Sequence, residues 1–437
     1  MHDPVHGTSF GARAIVVHLE FPSRNGKSPV SRSPEARLAE IVNLAAAIRL
    51  DVCHAQLLTV RKTSPATLIG KGQAQDLATI VAEKSAELVI FNAVISPVQQ
   101  QNLERLLDAK VIDRTSLILE IFGERAATAE GRLQVELAHL EYQAGRLVRS
   151  WTHLERQRGG YGFLGGPGET QIETDRRLLR DRIAHLKREL HAVQRTRALQ
   201  RQRRQRAEQA TVALVGYTNA GKSTLFNRLT GADVMARDVL FATLDPTMRA
   251  IHLPGYSEQE RKVILSDTVG FVSDLPTELV AAFRATLEEV VEADLLIHVR
   301  DLSHPETEAQ AADVQQVLDS LGVCEGEGQV PIIEALNKAD LLDPAAHDAA
   351  LERSSRNPDV VLVSAQTGEG IDRLKRLVAD KLRGTSALHE IRLHASDGKR
   401  LSWLYRNGEV IEQTEEGGHI VLKVRLSSSA ERRFHQL

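Results

Sequence analysis

The chain has 437 residues, with 42 % hydrophobic and 26 % charged, a globular composition with core material for about three domains at ~150 residues each. Two cysteines make no disulfide framework or Cys-rich zinc site, and 10 Phe, 5 Tyr and 2 Trp are too few for a protein that reads single-stranded bases mainly by stacking. No apolar run approaches the ~20 residues of a membrane span, and MHDPVHGTSF lacks the basic start and apolar stretch of a secretion signal, so a cytoplasmic protein with no membrane span is expected.

From Arg13 to about Arg125, ARAIVVHLEF, VCHAQLLTV and AELVIFNAVI read as strands rich in Val, Ile and Leu, continuous enough to be buried on both faces. Helical spacing separates them at Pro34–Leu50, Gly72–Lys84 and Ser96–Ala109, and Ser33-Pro34 and Ser96-Pro97 supply an N-cap and first helical residue. A small α/β unit with parallel strands follows, and Gly70-Lys71-Gly72 reads as a turn rather than a phosphate loop. Next, Leu133, Leu137, Leu140, Ala144, Leu147, Trp151 and Leu154 step by fours and threes like a coiled-coil seam, and Leu179, Ile183, Leu186, Leu190 and Val193 repeat it. Two such helices make an antiparallel hairpin with RGGYGFLGGPGET at its tip. Residues 175–208 carry twelve Arg and Lys against four Asp and Glu, a net +8 in a chain of net −3. A solvated face and a phosphate-binding surface are both readings of such a helix.

The expected architecture is α/β. It comprises an N-terminal α/β domain (1–125), a helical hairpin (126–208) with a glycine-rich tip (158–168), a doubly wound, mostly parallel P-loop domain (209–384) and a small C-terminal α+β domain (385–437). In the last, EIRLH, GKRLSWLY, EVIEQ and HIVLKVRL read as strand, helix and hairpin, with Asn407-Gly408 and Gly417-Gly418 as turn signals and a closing helix.

The chemistry concentrates in the third segment. TVALVG runs into Gly216-Tyr217-Thr218-Asn219-Ala220-Gly221-Lys222-Ser223, a full G-x-x-x-x-G-K-[ST] between a strand and the helical run STLFNRLTG. Its N–H groups would wrap phosphates at a helix N-terminus. Lys222 would reach the β- and γ-phosphates and the Ser223 hydroxyl would face Mg²⁺. Asp267-Thr268-Val269-Gly270 follows the strand RKVILS, so Asp267 can hold the metal through water and the Gly270 N–H can reach the γ-phosphate. Asn337-Lys338-Ala339-Asp340 follows VPIIEAL, and its carboxylate suits the N1–H and 2-amino group that guanine has and adenine lacks. Ser364-Ala365-Gln366 follows DVVLV and would close the base pocket with a backbone N–H. Four motifs in order, each at a strand's C-terminal end, imply a GTP-binding domain.

Between the loop and Asp267, Thr243 and Thr247 both qualify by position as the γ-phosphate-sensing threonine. Phe271 stands where Ras-like proteins carry a water-orienting glutamine, so hydrolysis by the chain alone is expected to be slow. Asn219 is either a loop-shaping hydrogen bonder or part of a K⁺ site beside the phosphates.

GYTNAGKS, LFATLDPT followed by DTVGF, NKAD and above all GGYGFLGGPGETQIETDRR resemble the HflX family, ribosome-associated GTPases of the Obg–HflX branch. The resemblance runs from the N-terminal α/β unit through the GTPase domain, and the tail fits the family's small C-terminal domain. It implies phosphate contacts from Gly216–Ser223, Mg²⁺ held by Ser223 and Thr243, and switches at Phe241, Ala242, Thr243, Leu244 and Asp245 and at Asp267–Gly270. It implies guanine reading by Asn337 and Asp340, with Lys338 and Ala339 between them and Ser364, Ala365 and Gln366 closing the pocket. Lys222, Thr243 and Gly270 are then the catalytic set. The implied partner is the ribosome, through its large subunit and rRNA, where the family is linked to splitting stalled or idle ribosomes; a monomer is expected. One departure stands out: Leu164-Gly165-Gly166 precedes Pro167, one residue longer than the family's usual loop and without its arginine. A large-subunit assembly GTPase and an RNA-binding scaffold with structural GTP are the competing readings.

Overall fold

The computed structural model describes residues 11–22, 32–157, 167–206, 210–232, 241, 247–254, 263–273, 284–323, 330–384, 386–394, 397–416, 419–427 and 434. These fall into two compact units: one holds the described residues up to Ala192 together with Phe241, and the other holds the rest.

The first unit opens with β1 (Arg13–Glu20), α1 (Pro34–Ala47), β2 (Asp51–Thr59), α2 (Lys71–Lys84), β3 (Leu88–Asn92), α3 (Pro97–Leu107), β4 (Lys110–Asp113) and α4 (Arg114–Arg125). The strands form a parallel sheet in the order β2-β1-β3-β4. Ile15, Val17, Val89, Phe91 and Val111 pack into one core with Leu77, Leu103 and Leu107 from α2 and α3. β1 and β3 are buried along most of their length, as their unbroken apolar runs predict, whereas β2 at the edge is only half-buried. The Ser33 and Ser96 hydroxyls accept from Ala36 N–H and Gln99 N–H, and Gln99 answers the Ser96 N–H to complete a capping box. Gly70 is the N-cap of α2, with Lys71 and Gly72 in its first turn, so the expected turn is a helix start.

The long helices α5 (Ala129–Gln157) and α6 (Pro167–Arg206) follow. Leu137, Leu186 and Leu190 make a common core with Leu133, Leu140 and Ile183; these stretches lie about equally far from the end of α5 and from the start of α6, so the pair is antiparallel. A polar latch ties α5 to the sheet. Asp113, 2 % exposed, caps α4 and accepts from Tyr142 Oη (2.7 Å) and Arg146 (3.2 Å). Burial, reinforced by Asp113, pushes the Tyr142 hydroxyl well above its ordinary pKa, so it stays protonated and donates. The expected tip at residues 158–166 lies outside the described residues; Pro167 and Gly168 begin α6.

The second unit contains β5 (Thr211–Val215), α7 (Lys222–Thr230), β6 (Thr247–Ile251), β7 (Val263–Asp267), α8 (Arg284–Val291), β8 (Leu295–Asp301), α9 (Thr307–Ser320), β9 (Ile332–Asn337), a 3₁₀ turn (Ala339–Leu341), α10 (Pro344–Arg356), β10 (Val360–Leu362) and α11 (Ile371–Gly384). The sheet order is β10-β9-β8-β5-β7-β6, parallel except for β6. β5, β8 and β9 are buried along most of their length and pack Val212, Leu214, Ile297, Val299, Ile333 and Ala335 with Leu225 and Phe226 of α7. The order reverses at β5, the point where open α/β sheets present a crevice beyond their strand ends. β11 (Ser386–His394), α12 (Gly398–Asn407), β12 (Glu409–Glu416) and β13 (His419–Ser427) form a separate antiparallel sheet, β11-β13-β12. Asn407 ends α12 as the turn signal predicts, while Gly417-Gly418 and most of the final segment lie outside the described residues.

Candidate functional site

The four motif segments converge at the C-terminal ends of β5, β7, β9 and β10. Gly216 needs to be glycine: at φ +150, a Cβ would sit 2.3 Å from Val299 O on the neighbouring strand. Gly221 is bound as tightly, at φ +91, with Asn337 Nδ2 2.3 Å from where a Cβ would be. Asn219 takes the left-handed conformation (φ 60) that Asn tolerates better than most residues, so its backbone shapes the loop. The loop runs from β5 into the N-terminus of α7 at Lys222, the kind of backbone arrangement that binds anions.

Lys222 is 6 % exposed, and its Nζ donates to Gly216 O (3.0 Å) and Tyr217 O (2.6 Å). Burial lowers its pKa to about 8, against a smaller raising influence of Asp267. An ammonium so poorly solvated gains much from a phosphate anion. The Ser223 hydroxyl donates to Asp267 Oδ2 at 2.7 Å. Asp267 is fully buried, and this pairing of a hydroxyl with a carboxylate is a hard-oxygen donor set that suits Mg²⁺. Thr268 Oγ1 donates to Leu214 O (2.6 Å), fixing the start of the segment that carries Val269 and Gly270 to β5.

Asn337 engages both ends of its amide within the protein. Nδ2 donates to Ala220 O (2.8 Å) and Oδ1 accepts from Ala365 N–H (3.0 Å). It is therefore a strut between the phosphate loop and the Ser364–Gln366 segment. Asp340 is exposed, and one of its oxygens accepts from Ser364 Oγ. Lys338, at φ 65, ion-pairs with Asp301 (2.8 Å) and turns the chain so that Ala339 is buried and Asp340 is not. Arg228 of α7 closes the ring: its guanidinium donates to Ala365 O (3.0 Å) and to Gln366 O. No local signal marks Arg228 in the sequence, since its partners lie on the far side of the sheet order.

The remaining predicted residues are placed differently. Phe241 lies with the first unit, its buried ring edge-on to Phe122 at 4.7 Å between centroids. Ala242, Thr243, Leu244 and Asp245 lie outside the described residues. Thr247, the other candidate, opens β6 and pairs with Asp267 in the antiparallel register, a sheet-edge position. Phe271 is buried at 2 % exposure, so no polar side chain follows Gly270.

A phosphate loop on the switch-point strand, a serine–aspartate pair beside it and an NKxD turn braced against a third loop define a P-loop GTPase. The family model described as "50S ribosome-binding GTPase" matches residues 211–338. Those for the GTP-binding GTPase N-terminal and middle regions match residues 35–123 and 125–204, and the "HflX C-terminal domain" matches 349–436. The GTPase HflX of Magnetococcus marinus is 51 % identical over 390 residues, 89 % of this chain and 88 % of that protein. The Escherichia coli GTPase HflX is 43 % identical over 418 residues, 95 % and 94 % of the two chains. Among solved structures, a GTP-binding protein of Sulfolobus solfataricus in complex with GDP is 23 % identical, covering 85 % of this chain and 98 % of that one at a TM-score of 0.43. The chain belongs to the HflX family of GTPases: it binds and hydrolyses GTP.

Proposed function

We propose that this GTPase works on the ribosome, binding the large subunit and its rRNA, and that it splits stalled or idle ribosomes with hydrolysis stimulated by that partner. The observation that carries this reading is Phe271: the position after Gly270 offers a buried ring and no group to orient water, so efficient hydrolysis needs an outside contribution. Two features indicate the source. The description matched by residues 211–338 names the 50S ribosome, and residues 175–208, most of α6, carry the net +8 that favours a phosphate backbone. In this reading 1–125, 126–208, 209–384 and 385–437 are four modules of one cytoplasmic, monomeric protein.

At the site, Lys222 and the loop from Gly216 to Ser223 bind the phosphates, with Tyr217, Thr218, Asn219 and Ala220 forming the body of the loop. Asp340 accepts from the N1–H and 2-amino group of guanine, while Asn337 and Arg228 hold Ser364–Gln366 against the base. Ser223, Thr243 and, through water, Asp267 would hold Mg²⁺, which neutralises charge on the phosphates when bound. The Gly270 N–H and Thr243 respond to the γ-phosphate, and Asn219 is the residue of this loop suited to sharing a K⁺ ion.

GTP turnover by the purified chain, alone and with titrated large ribosomal subunits, tests the reading. A slow basal rate raised at least about tenfold, or about 1.4 kcal/mol off the barrier, is expected, together with GTP-dependent separation of intact 70S particles. Stimulation without separation assigns the chain to subunit assembly. No stimulation at all removes the ribosome as activator.

A further inference from the structure

Four hydroxyls belong to the phosphate loop and the Asp267–Gly270 segment, and three of them are engaged. Tyr217 Oη accepts from Ser273 N–H (2.9 Å), Ser223 Oγ donates to Asp267, and Thr268 Oγ1 donates to Leu214 O. Thr218 differs. The residue is 6 % exposed, and its Oγ1 is buried with no hydrogen-bond partner. A buried hydroxyl left unbonded costs the fold free energy, and a ligand that supplies the bond removes that cost. The neighbours of Thr218 indicate which ligand. A Cβ on Gly270 would lie 2.8 Å from Thr218 Cγ2 and 3.0 Å from Lys222 Nζ, so the threonine side chain and the lysine ammonium converge on Gly270. Lys222 and the Gly270 N–H are the groups expected to hold the γ-phosphate, and both can only donate. An attacking water needs the opposite, an acceptor for one of its protons, so that a lone pair faces phosphorus. The nearby carbonyls already accept: Gly216 O and Tyr217 O from Lys222, and Phe271 O from Thr218 N–H. The Thr218 oxygen remains as an open acceptor, and packing of its methyl against Gly270 restricts its rotamer.

We infer that Thr218 is a catalytic residue whose hydroxyl holds the attacking water, in place of the glutamine that Phe271 displaces. The water oxygen bonds to the γ-phosphorus as the bond from phosphorus to the β–γ bridging oxygen breaks. That oxygen leaves on GDP with the electron pair. One water proton passes to a γ-phosphate oxygen, the other stays on the attacking oxygen and is the one Thr218 accepts, and the products are GDP and inorganic phosphate. A glutamine amide grips water through both its oxygen and its nitrogen, whereas a single hydroxyl leaves the water free to turn. Turnover by the chain alone therefore stays slow, and an activator has an alignment to complete. The inference rests on GTP hydrolysis itself and stands whichever macromolecule the chain acts on.

Thr218→Val keeps the methyl and the shape of the side chain and removes the hydroxyl, while Thr218→Ser keeps the hydroxyl and removes the methyl. In the full-length protein, single-turnover GTP hydrolysis by Thr218→Val should fall at least about tenfold, the scale of one lost transition-state contact. Its affinities for GDP and for a non-hydrolysable GTP analogue should stay within about twofold, and Thr218→Ser should hydrolyse within about threefold of the unaltered chain. An unchanged rate in Thr218→Val overturns the inference. So does an equal fall in both variants, which would make the methyl packing the cause, or a matching loss of nucleotide affinity, the mark of a merely structural threonine. Binding of GDP with aluminium fluoride, which imitates the transferring phosphoryl group and its water, gives a second readout. Thr218→Val should weaken that complex and leave the GDP complex unchanged, and equal binding of both by the two proteins would also refute the role. Neither readout needs the ribosome, so a failure of ribosomal stimulation leaves this inference standing.

Discussion

Asn337 shows how a single residue carries a motif's function indirectly. Its amide satisfies Ala220 O and Ala365 N–H, and it crowds Gly221 so closely that any Cβ there collides with it. Gly221→Ala should therefore combine that collision with a left-handed strain of about 1–3 kcal/mol and abolish measurable GTP binding; calorimetry showing near-native affinity would refute the packing argument. His298 of β8 yields a pH dependence. Burial, then the charges of Arg300 and Lys222, push its pKa from 6.5 down to about 3. The folded chain keeps it neutral while the unfolded chain binds a proton, so its contribution to stability is lost as pH falls below the unfolded value. The loss is at most about 1.4 kcal/mol per pH unit. His298→Gln should make the fall in Tm between about pH 7 and about pH 5 shallower than in the unaltered chain, and parallel slopes would sink the assignment.

At the scale of elements, the long periodic segments and most of the short apolar strands are legible in the sequence, and a few short elements are not. The heptad leucines of α5 and α6 announce their own partners, because a two-helix seam needs only the 3.5-residue repeat. By contrast, β4 and α4 carry no visible punctuation: Asp113 is at once the last strand residue and the helix N-cap, so the expected gap between two elements is absent. Energetics within the hairpin favour the seam over its charges. Leu186 is fully buried, and Leu186→Ala should cost about 2–5 kcal/mol. Breaking the exposed Glu136–Arg182 pair (2.6 Å) should cost less than about 1 kcal/mol. Amide exchange along α5 and α6 reads both, and a larger loosening from Glu136→Ala than from Leu186→Ala would reverse this ranking.

For the whole molecule, the arm and the nucleotide site are expected to be separable in function. The latch of Asp113, Tyr142 and Arg146 ties α5 to the first sheet, whereas the GTP-site residues hang on the second sheet and on one another. Deleting residues 159–166 should leave GTP affinity within about twofold, since among the described residues the loop, strut and pocket contacts run between 216–228, Asp267, 337–340 and 364–366. Activity on ribosomes should fall by tenfold or more, the scale of one lost interaction of about 1.4 kcal/mol. A parallel loss of GTP affinity would show that the tip serves folding instead.

The sequence alone determined the GTPase chemistry. A phosphate loop needs contiguous glycines, a lysine and a hydroxyl, so its whole mechanism lies within Gly216–Ser223, and the order of the later motifs follows from the strands that carry them. The family followed from the same residues together with the glycine-rich stretch and its DRR. Only tertiary structure decided which groups support the site. Tyr217 meets Ser273, Arg228 meets Ala365, and Asn337 meets Ala220 across strands distant in sequence, and no local pattern encodes a contact that parallel β-pairing creates. Phe241 makes the point from the other side: its sequence neighbourhood places it among the switches, yet its ring packs on Phe122, because burial of an aromatic surface is decided by whichever apolar face the folded chain brings near.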